Sequence, residues 1–316
     1  MSDLVGRVAQ HLVGRRREQE LVLAAIAAGR HVVIEGPPGT GKSTLLRAVA
    51  RELGVGFEFV EGNAELTPAR LVGHFDPARV LAEGYDPDVF VDGPLVTALR
   101  EGSLLYVEEL NRVPEETLNV LITVMSEGEL HVPRLGHVEA AEGFRLVAAM
   151  NPFDAVGTAR ISGAVYDRVC RLHVGYQSAG EEGDIVARAQ PGADPAWVAK
   201  AVELVRRTRE HPDLRVGSSV RGAIDATAVV TSLAELRGRP ASTREVGLDA
   251  VLVALSGRVR LREGSLRTSE EILTELYDEI FAPEADDAAE RGDRSDEGGG
   301  PPPAGKAPAP AGPHRS

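Results

Sequence analysis

A glycine-rich stretch that ends in lysine and serine carries the clearest chemical signal in the sequence. Residues 36–43 are GPPGTGKS, an apolar run at 32–34 precedes them, and apolar residues at helical spacing follow at 45–53. Glycine lets backbone N–H groups turn inward, and the start of the following helix adds its positive dipole end. A strand, this loop and a helix in that order therefore predict a site for phosphate groups.

The loop is predicted to bind the phosphates of a nucleotide together with a metal ion. The predicted binding residues are Gly36, Pro37, Pro38, Gly39, Thr40, Gly41, Lys42, Ser43 and Thr44. Lys42 would place a positive charge against the β- and γ-phosphates, and the hydroxyl of Ser43 would ligate Mg²⁺. The alternative is a glycine-rich turn that contains a lysine by chance, and the flanking strand and helix argue against it.

Two adjacent glutamates, Glu108 and Glu109, follow a second apolar run at residues 104–107. A short, nearly continuous apolar run is typical of a buried parallel strand, so the pair should lie at its carboxyl end. Beside a phosphate loop, one carboxylate can hold the Mg²⁺ shell while the other polarises an attacking water. Two solvated acids at the end of a strand are the alternative.

Asn151 occupies the same position after a third predicted strand, at residues 144–150. Ligands of α/β proteins gather at the carboxyl ends of parallel strands. An amide there is a candidate for orienting the hydrolytic water. The alternative is that Asn151 only initiates a turn before the proline that follows it.

Strand and helix patterns alternate up to about residue 177, which predicts a parallel, three-layer α/β domain at 1–177. The helical period continues alone from there, with five helices predicted at 181–189, 195–209, 219–236, 243–259 and 268–281. These predict an all-helical domain at 178–282. Residues 283–316 combine Gly, Pro, Ala and charged residues without a large apolar side chain, which predicts a disordered tail.

Smaller patterns complete the prediction. A helix is expected to bury positions 21, 24, 25 and 28 before it ends at Gly29, and residues 12–14 are placed to wall a base. A plain packing role for 12–14 is equally compatible with their position. Residues 73–92 lack periodicity and predict a long loop or inserted element, and 129–139 predict a β-hairpin.

Composition limits the classes of partner and location. The net charge of −13 and the aromatic content of 4% argue against a nucleic-acid partner. No apolar run is long enough for a membrane span and residues 1–10 contain no signal core, so we expect a cytoplasmic location. The single cysteine, Cys170, fits a reducing compartment and is predicted to be buried. Histidine and cysteine spacing predicts no metal beyond Mg²⁺.

With these residues in place, positions 10–281 resemble the AAA+ ATPases, and within them the MoxR group, which is similar to magnesium-chelatase ATPase subunits. GPPGTGKS resembles the Walker A motif, LLYVEELNRVP the Walker B motif and AAMNP the end of the sensor-1 strand. The resemblance implies that Glu108 is on the metal side and Glu109 is the base. It places an arginine finger at Arg168, in Asp167-Arg168-Val169, and a sensor-2 arginine at Arg221, in GSSVRGA.

The same resemblance implies a homo-oligomer, a hexameric ring, in which ATP lies between subunits. Arg168 would reach the γ-phosphate held by a neighbour, and Arg221 would reach that of its own chain. Arg160 is a competing candidate for the finger. The segments 74–92 and 129–139 look like inserts that contact partners on such a ring. This sequence departs from the family pattern at Glu108, where aspartate is usual, and at Val169, where phenylalanine is usual.

Three functions are compatible with these residues. The first is an ATPase, with ATP and Mg²⁺ as cofactors, that remodels a protein partner, as MoxR-type proteins do with proteins carrying a von Willebrand factor A domain. The second is a scaffold that assembles on ATP with little hydrolysis, which the replacement at Glu108 favours. The third is a chelatase-like subunit that drives metal insertion.

Overall fold

The computed structural model describes residues 2–151 and 161–282 of the 316-residue chain. The strands are β1 (His31–Glu35), β2 (Phe57–Glu61), β3 (Gly73–Phe75), β4 (Phe90–Asp92), β5 (Leu104–Glu108), β6 (Glu129–Val132), β7 (Gly136–Glu139), β8 (Arg145–Met150), β9 (Val169–His173), β10 (Leu214–Val216) and β11 (Arg260–Leu261). The helices are α1 (Ser2–Ala9), α2 (Arg16–Ala27), α3 (Lys42–Leu53), α4 (Pro68–Val72), α5 (Pro77–Glu83), α6 (Pro94–Glu101), α7 (Glu115–Glu127), α8 (Gly163–Tyr166), α9 (Ala179–Ala189), α10 (Pro195–Glu210), α11 (Val220–Arg237), α12 (Arg244–Leu255) and α13 (Ser269–Phe281). Short 3₁₀ helices span Pro87–Val89 and Leu110–Arg112.

A five-stranded parallel sheet in the order β2-β5-β8-β1-β9 forms the centre of the first domain. Alternate residues of the central strands pack into different cores on its two faces. Val32 and Ile34 join the core under α1, α2 and α3, whereas Val33 joins the core under α4, α6 and α7. The predicted three-layer α/β fold is therefore confirmed. Because the strands are parallel, their carboxyl ends meet at one edge of the sheet.

The second domain packs α9 to α13 around a core of its own. The prediction of an all-helical domain is wrong in one detail, because β10 and β11 pair as a short antiparallel ribbon. Leu214 of β10 is 3% exposed and joins the helical core. Strands of three and two residues are too short to show a period in the sequence.

The two inserts have regular structure. β3 and β4 pair antiparallel and enclose α5, so the segment predicted as a long loop or inserted element is an inserted element. The N–H of Gly93 donates to the carbonyl of Val72 at 2.9 Å, which joins the end of α4 to the start of α6 across the insert. The hairpin predicted at 129–139 is confirmed as β6 and β7.

The predicted buried face of α2 is wrong. Gln19, Val22 and Leu23 are buried, whereas Leu21 is 42% exposed. The side-chain amide of Gln19 donates to the carbonyl of Gly14 at 2.8 Å, so a polar residue sets the orientation of the helix. Alanine-rich positions such as 24, 25 and 28 did not reveal this, because small side chains weakly constrain which face packs.

The prediction of a buried thiol at Cys170 is also wrong. Cys170 lies on β9, an edge strand of the sheet, and is exposed. Only one residue of β9, Leu172, is buried. The apolar alternation that suggested burial is real, and Cys170 shares a face with the buried Leu172. At residue 170, however, that face of the edge strand is exposed.

A thiol reagent should therefore modify the native protein without denaturant. We expect one equivalent of thiol per chain to react with Ellman's reagent, because Cys170 is the single cysteine and is exposed. The variant Cys170→Ser should give no signal. A native protein that reacts only after guanidinium is added would contradict the exposed position.

The tail predicted at residues 283–316 lies outside the described residues, so its disorder stays a prediction. No helix in the described part of the chain combines the length and the apolar character that crossing a bilayer requires.

Candidate functional site

The phosphate loop begins where β1 ends, and its glycines are required by close contacts. A Cβ on Gly36 would lie 2.0 Å from the carbonyl oxygen of Val174. Gly39 has φ +74°, and a Cβ there would lie 2.2 Å from Oγ of Ser219. The loop is thus packed between β9 and the helical domain. It lines a cleft with residues from both domains: Pro38, Gly39, Thr40, Gly41, Lys42, Ser43, Thr44, Glu108, Glu109, Ala149, Met150, Asn151 and Arg221.

The ammonium of Lys42 points back into the loop. Nζ donates to the carbonyls of Gly36 at 2.9 Å and Pro37 at 2.8 Å, so these two residues support the lysine from behind the cleft. Burial lowers the pKa of Lys42 to about 8, although the nearby Glu108 carboxylate acts in the opposite direction. Lys42 is therefore a cation whose charge can be lost near neutral pH.

Ser43 and Glu108 meet at the floor of the cleft. Oγ of Ser43 donates to Oε1 of Glu108 at 2.7 Å and lies 3.0 Å from the hydroxyl of Tyr106. Tyr106 is fully buried, and burial raises its pKa, so the phenol stays protonated. A hydroxyl and a carboxylate side by side form a hard oxygen pair suited to Mg²⁺, which keeps several waters and also binds phosphate.

This pair can supply only part of a metal shell. Among residues 2–151 and 161–282, no group of three or more His, Cys, Asp or Glu side chains is arranged to hold a metal ion. A hydroxyl and a single carboxylate are the donor set expected for Mg²⁺ that arrives with a nucleotide, because one or two protein oxygens then suffice. Ser43 and Glu108 would hold the ion.

Glu109 turns out of the strand direction at the end of β5. Its φ of 52° and ψ of 45° are left-handed, a conformation that costs a residue with a Cβ roughly 1–2 kcal/mol. Oε2 of Glu109 lies 3.0 Å from Nη1 of Arg112, and both side chains are partly exposed. The turn brings Glu109 to the cleft, and Arg112 is placed to orient its carboxylate.

Asn151 follows β8 and lines the same cleft. The backbone carbonyl of Asn151 accepts a hydrogen bond from the side-chain amide of Asn111 at 3.4 Å, and Asn111 is 7% exposed. Asn111 belongs to the short 3₁₀ helix that follows Glu109. The two elements that carry Glu109 and Asn151 are therefore linked directly.

Arg221 reaches the cleft from the helical domain, one residue into α11. The start of α11 is held by a polar network that includes Glu182, which is 2% exposed. Glu182 accepts from Nη2 of Arg209 at 2.8 Å, and Nε of Arg209 donates to the carbonyl of Ser218 at 2.7 Å. The network holds the start of α11, and Arg221 lines the same cleft as Glu109.

Arg168 does not enter the cleft of its own chain. Nε donates to the hydroxyl of Ser126 at the end of α7, and Nη1 donates to the carbonyl of Ala164 at 2.8 Å. The structure therefore does not bring Arg168 together with the other predicted site residues. The competing candidate, Arg160, lies outside the described residues.

A second cavity of about 280 Å³ adjoins the phosphate cleft, and the two share the lining residues Gly39, Gly41, Thr44 and Arg221. Leu12 and Val13 wall one side of it, and α9 and α11 wall the other. Of residues 12–14, the first two therefore line this cavity, and their role as a wall for a base stays a prediction. The cavity lies next to the phosphate cleft, where a base pocket would be expected. Most of its surface is apolar, and its polar lining residues are His11, Arg15, Gln177, Arg188 and Arg221.

Four polar residues near the site could not be assigned from the sequence. Arg15 lines the second cavity at 8% exposure, and its Nε has no hydrogen-bond partner within the part of the chain that the structure describes. Tyr106 and Arg112 contact Ser43 and Glu109 as described above. Glu35 is buried directly before the loop. A signal was available for two of the four, because Glu35 ends an apolar strand with a charge and Arg15 directly follows Gly14 in a turn.

Comparison with known proteins agrees with this geometry. The model of the AAA domain, dynein-related subfamily, matches residues 31–169, from β1 to the start of β9. An uncharacterized protein of Staphylococcus aureus, strain USA300, is 30% identical over 209 residues, covering 66% of this chain and 76% of that protein. The chain belongs to the AAA+ ATPase family. Membership in this family implies nucleotide binding.

Two further proteins are similar to this chain, one in sequence and one in fold. The gas vesicle ATPase GvpN of Haloferax mediterranei is 30% identical over 224 residues, covering 66% of this chain and 64% of GvpN. RuvB of Thermotoga maritima, a Holliday junction branch migration motor, aligns in structure with a TM-score of 0.52 at 19% identity. That alignment covers 76% of this chain and 70% of RuvB, and it concerns the fold alone.

Proposed function

We propose that this AAA+ protein belongs to the MoxR group and hydrolyses ATP in a ring, using the energy to remodel a protein partner. The observation that carries the proposal is the shared cleft. Lys42, the Ser43–Glu108 pair, Glu109 and Asn151 converge there at one edge of the sheet, and Arg221 of the helical domain lines the same cleft. These are the groups that phosphoryl transfer to water requires: a cation, a metal site, a base and a polar orienting group.

The binding step is assigned to the loop and the two cavities. Lys42 would exchange its bonds to the loop carbonyls for bonds to phosphate oxygens, and the backbone N–H groups of residues 39–44 would cradle the anion. Bound Mg²⁺ would neutralise developing charge on the phosphates. The apolar cavity behind Gly41 would take the base.

The hydrolytic step is assigned to Glu109 and Asn151. Glu109 would accept a proton from the attacking water, and the amide of Asn151 would orient that water. Arg221 would stabilise charge on the transferred phosphoryl group from the helical domain. Since residues of both domains line the cleft, hydrolysis would alter their relative position.

A neighbouring subunit is needed to complete the site. Arg168 lies outside its own cleft, so it can contribute to catalysis only on a nucleotide held by another chain. An arginine supplied in this way is a recognised device of phosphoryl transfer. We therefore propose a closed homo-oligomer, a hexamer, with β3–β4 and β6–β7 presented to a protein partner, such as one carrying a von Willebrand factor A domain.

A second candidate is an assembly scaffold that binds ATP and hydrolyses it negligibly. Glu108 stands where the family has aspartate, and the carboxylate of Glu109 is paired with Arg112 rather than free. Both features would slow hydrolysis without preventing binding. Nothing in the described residues specifically favours the chelatase-like alternative.

Phosphate release separates the leading proposal from the scaffold. Purified full-length protein at high concentration should release phosphate from ATP in the presence of Mg²⁺ and stop when EDTA is added. ATP-driven assembly without phosphate release, observed by light scattering on the same sample, would favour the scaffold instead.

The affinity for ATP should weaken above pH 8. Only the protonated form of Lys42 attracts phosphate, so bound phosphates raise its pKa above the value of about 8 in the free protein. Affinity should be full below pH 8 and fall on the order of tenfold per pH unit above it. Titration of a fluorescent ATP analogue from pH 7 to pH 10 measures this change.

The matched control is Lys42→Arg, because a guanidinium stays protonated across the whole range. Its affinity should be lower than that of the wild type at pH 7 but nearly constant from pH 7 to pH 10. A wild-type curve that is equally flat would contradict the assigned role and pKa of Lys42.

A further inference from the structure

A buried carboxylate stands directly before the phosphate loop, and the binding and hydrolytic steps above do not use it. Glu35, the last residue of β1, is 1% exposed. Its Oε1 accepts a hydrogen bond of 2.8 Å from the hydroxyl of Tyr166, and its Oε2 pairs with the guanidinium of Arg171. Since burying a charge is costly unless it is paired, both contacts are needed to keep Glu35 in place.

The two partners of Glu35 lie on either side of Arg168 in the chain. Tyr166 ends α8 two residues before Arg168, and Arg171 follows on β9 three residues after it. Arg168 is in turn anchored to α8 through the carbonyl of Ala164 at 2.8 Å. A movement of Tyr166 relative to β1 would therefore displace one of the two anchors of Arg168, the other being the hydroxyl of Ser126 on α7.

Glu35 is also tied to the phosphate loop through the backbone. The next residue, Gly36, begins the loop, and its carbonyl accepts from Lys42 at 2.9 Å. The backbone carbonyl of Glu35 itself accepts from the N–H of Val174, just after β9, at 2.7 Å. Burial and the hydrogen bond to Glu35 raise the pKa of Tyr166 to about 12, so the phenol remains a donor at neutral pH. The loop and α8 are thus joined through one side chain.

We propose that Glu35, acting through Tyr166, is a positioning residue that sets Arg168 for the ATP held by the neighbouring subunit. The inference rests on the proposed function, because it requires Arg168 to act between subunits. The contact between Glu35 and Tyr166 then joins two parts of one subunit. These are the phosphate loop of its own site and the arginine that acts on the neighbouring site. Each subunit's loop is mechanically linked to its neighbour's chemistry.

The variant Tyr166→Phe tests this link because it removes one hydroxyl and keeps the ring. The kcat for ATP should fall about tenfold, the effect of losing one hydrogen bond to a charged group, while ATP affinity stays within about twofold. Tyr166→Phe should add no further loss to Arg168→Ala, since both act through one group. The control Tyr85→Phe, on the insert, keeps its ring over Arg134 and should match the wild type.

Mixed oligomers show which site Tyr166 serves. Glu109→Gln subunits keep Arg168 but lack the base, and Arg168→Ala subunits keep the base but lack the arginine. Mixing the two variants should restore phosphate release at each interface where Arg168 of a Glu109→Gln subunit meets the cleft of an Arg168→Ala subunit. Adding Tyr166→Phe to the Glu109→Gln subunit should lower the restored rate about tenfold, whereas adding it to the Arg168→Ala subunit should leave the rate within about twofold.

Each outcome decides a different point. A loss with either placement would mean that Tyr166 supports the general structure of the subunit, and would overturn the proposal. A loss only in the Arg168→Ala subunit would mean that Glu35 serves its own cleft, and no loss in either would mean that the hydrogen bond is idle; both also overturn it. If the unmodified mixture restores no activity, the intersubunit arginine itself is refuted, and the proposed function fails with it.

Discussion

Replacing Glu109 by glutamine should stop ATP hydrolysis while leaving ATP binding intact. Glutamine keeps the size and the left-handed turn of the residue but cannot accept the proton of the attacking water. A positioned general base contributes on the order of 10²–10⁴-fold, so phosphate release should fall about 10³-fold. Lys42, Ser43 and Glu108 remain in place, so the affinity for an ATP analogue should stay within about twofold of the wild type.

Glu116→Gln is the matched control for this change. Glu116 is an exposed carboxylate in the first turn of α7, outside the cleft, and its replacement removes the same charge. Its phosphate release should equal that of the wild type. Unchanged turnover in Glu109→Gln, measured beside this control, would remove Glu109 from the catalytic role.

Replacing Arg168 by alanine should reduce hydrolysis by ~10³-fold or more, the contribution of an arginine supplied in trans to phosphoryl transfer. The loss should appear in kcat, because Arg168 does not line the cleft that holds the nucleotide of its own chain. Arg168→Lys should recover little, since an ammonium cannot make two parallel bonds to a phosphoryl group. Steady-state kinetics with ATP and Mg²⁺ separate kcat from KM.

The control for this prediction is Arg215→Ala, which removes an exposed arginine from β10 of the helical domain. It should leave both kcat and KM unchanged. A normal kcat in Arg168→Ala would contradict the intersubunit role, and a selective rise in KM would point instead to a binding role within one chain.

Those parts of the fold that depend on short-range chemistry could be predicted from the sequence. The Thr67-Pro68 pair is a helix-start signal, and α4 begins there, because the threonine side chain accepts from the N–H of Arg70 and proline suits the first turn. The apolar run of β5 and the hairpin at 129–139 are equally local patterns. Each of these elements is where its sequence signal placed it.

Features that depend on tertiary neighbours could not be predicted. Cys170 alternates like a core residue, yet β9 lies at the edge of the sheet and exposes it. Gln19 is polar and therefore a poor candidate for a core position, yet it is fully buried. There its side-chain amide donates a hydrogen bond to the carbonyl of Gly14. The sheet order and the path of residues 10–15 decide both cases, and neither is encoded in a local period.

The same division applies to the candidate site. Lys42, Ser43 and Glu108 stand in recognisable motifs, and the structure places the last two in direct contact. Arg112 contacts Glu109 through a left-handed turn at that residue, which the motif does not reveal. Glu35 pairs with Tyr166 and Arg171, which lie far from it in the sequence. A buried charge at a strand end is a signal of such a role, but its partner becomes evident only in three dimensions.

The central claim is that one chain provides an incomplete site and its neighbour completes it. The most direct measurement is phosphate release per subunit as a function of protein concentration, with molar mass followed by light scattering on the same samples. We predict a rate per subunit that rises with assembly and then levels off, and a rate for Arg168→Ala that stays low throughout. A rate per subunit that is constant from monomer to oligomer, with Arg168→Ala as active as the wild type, would contradict the claim.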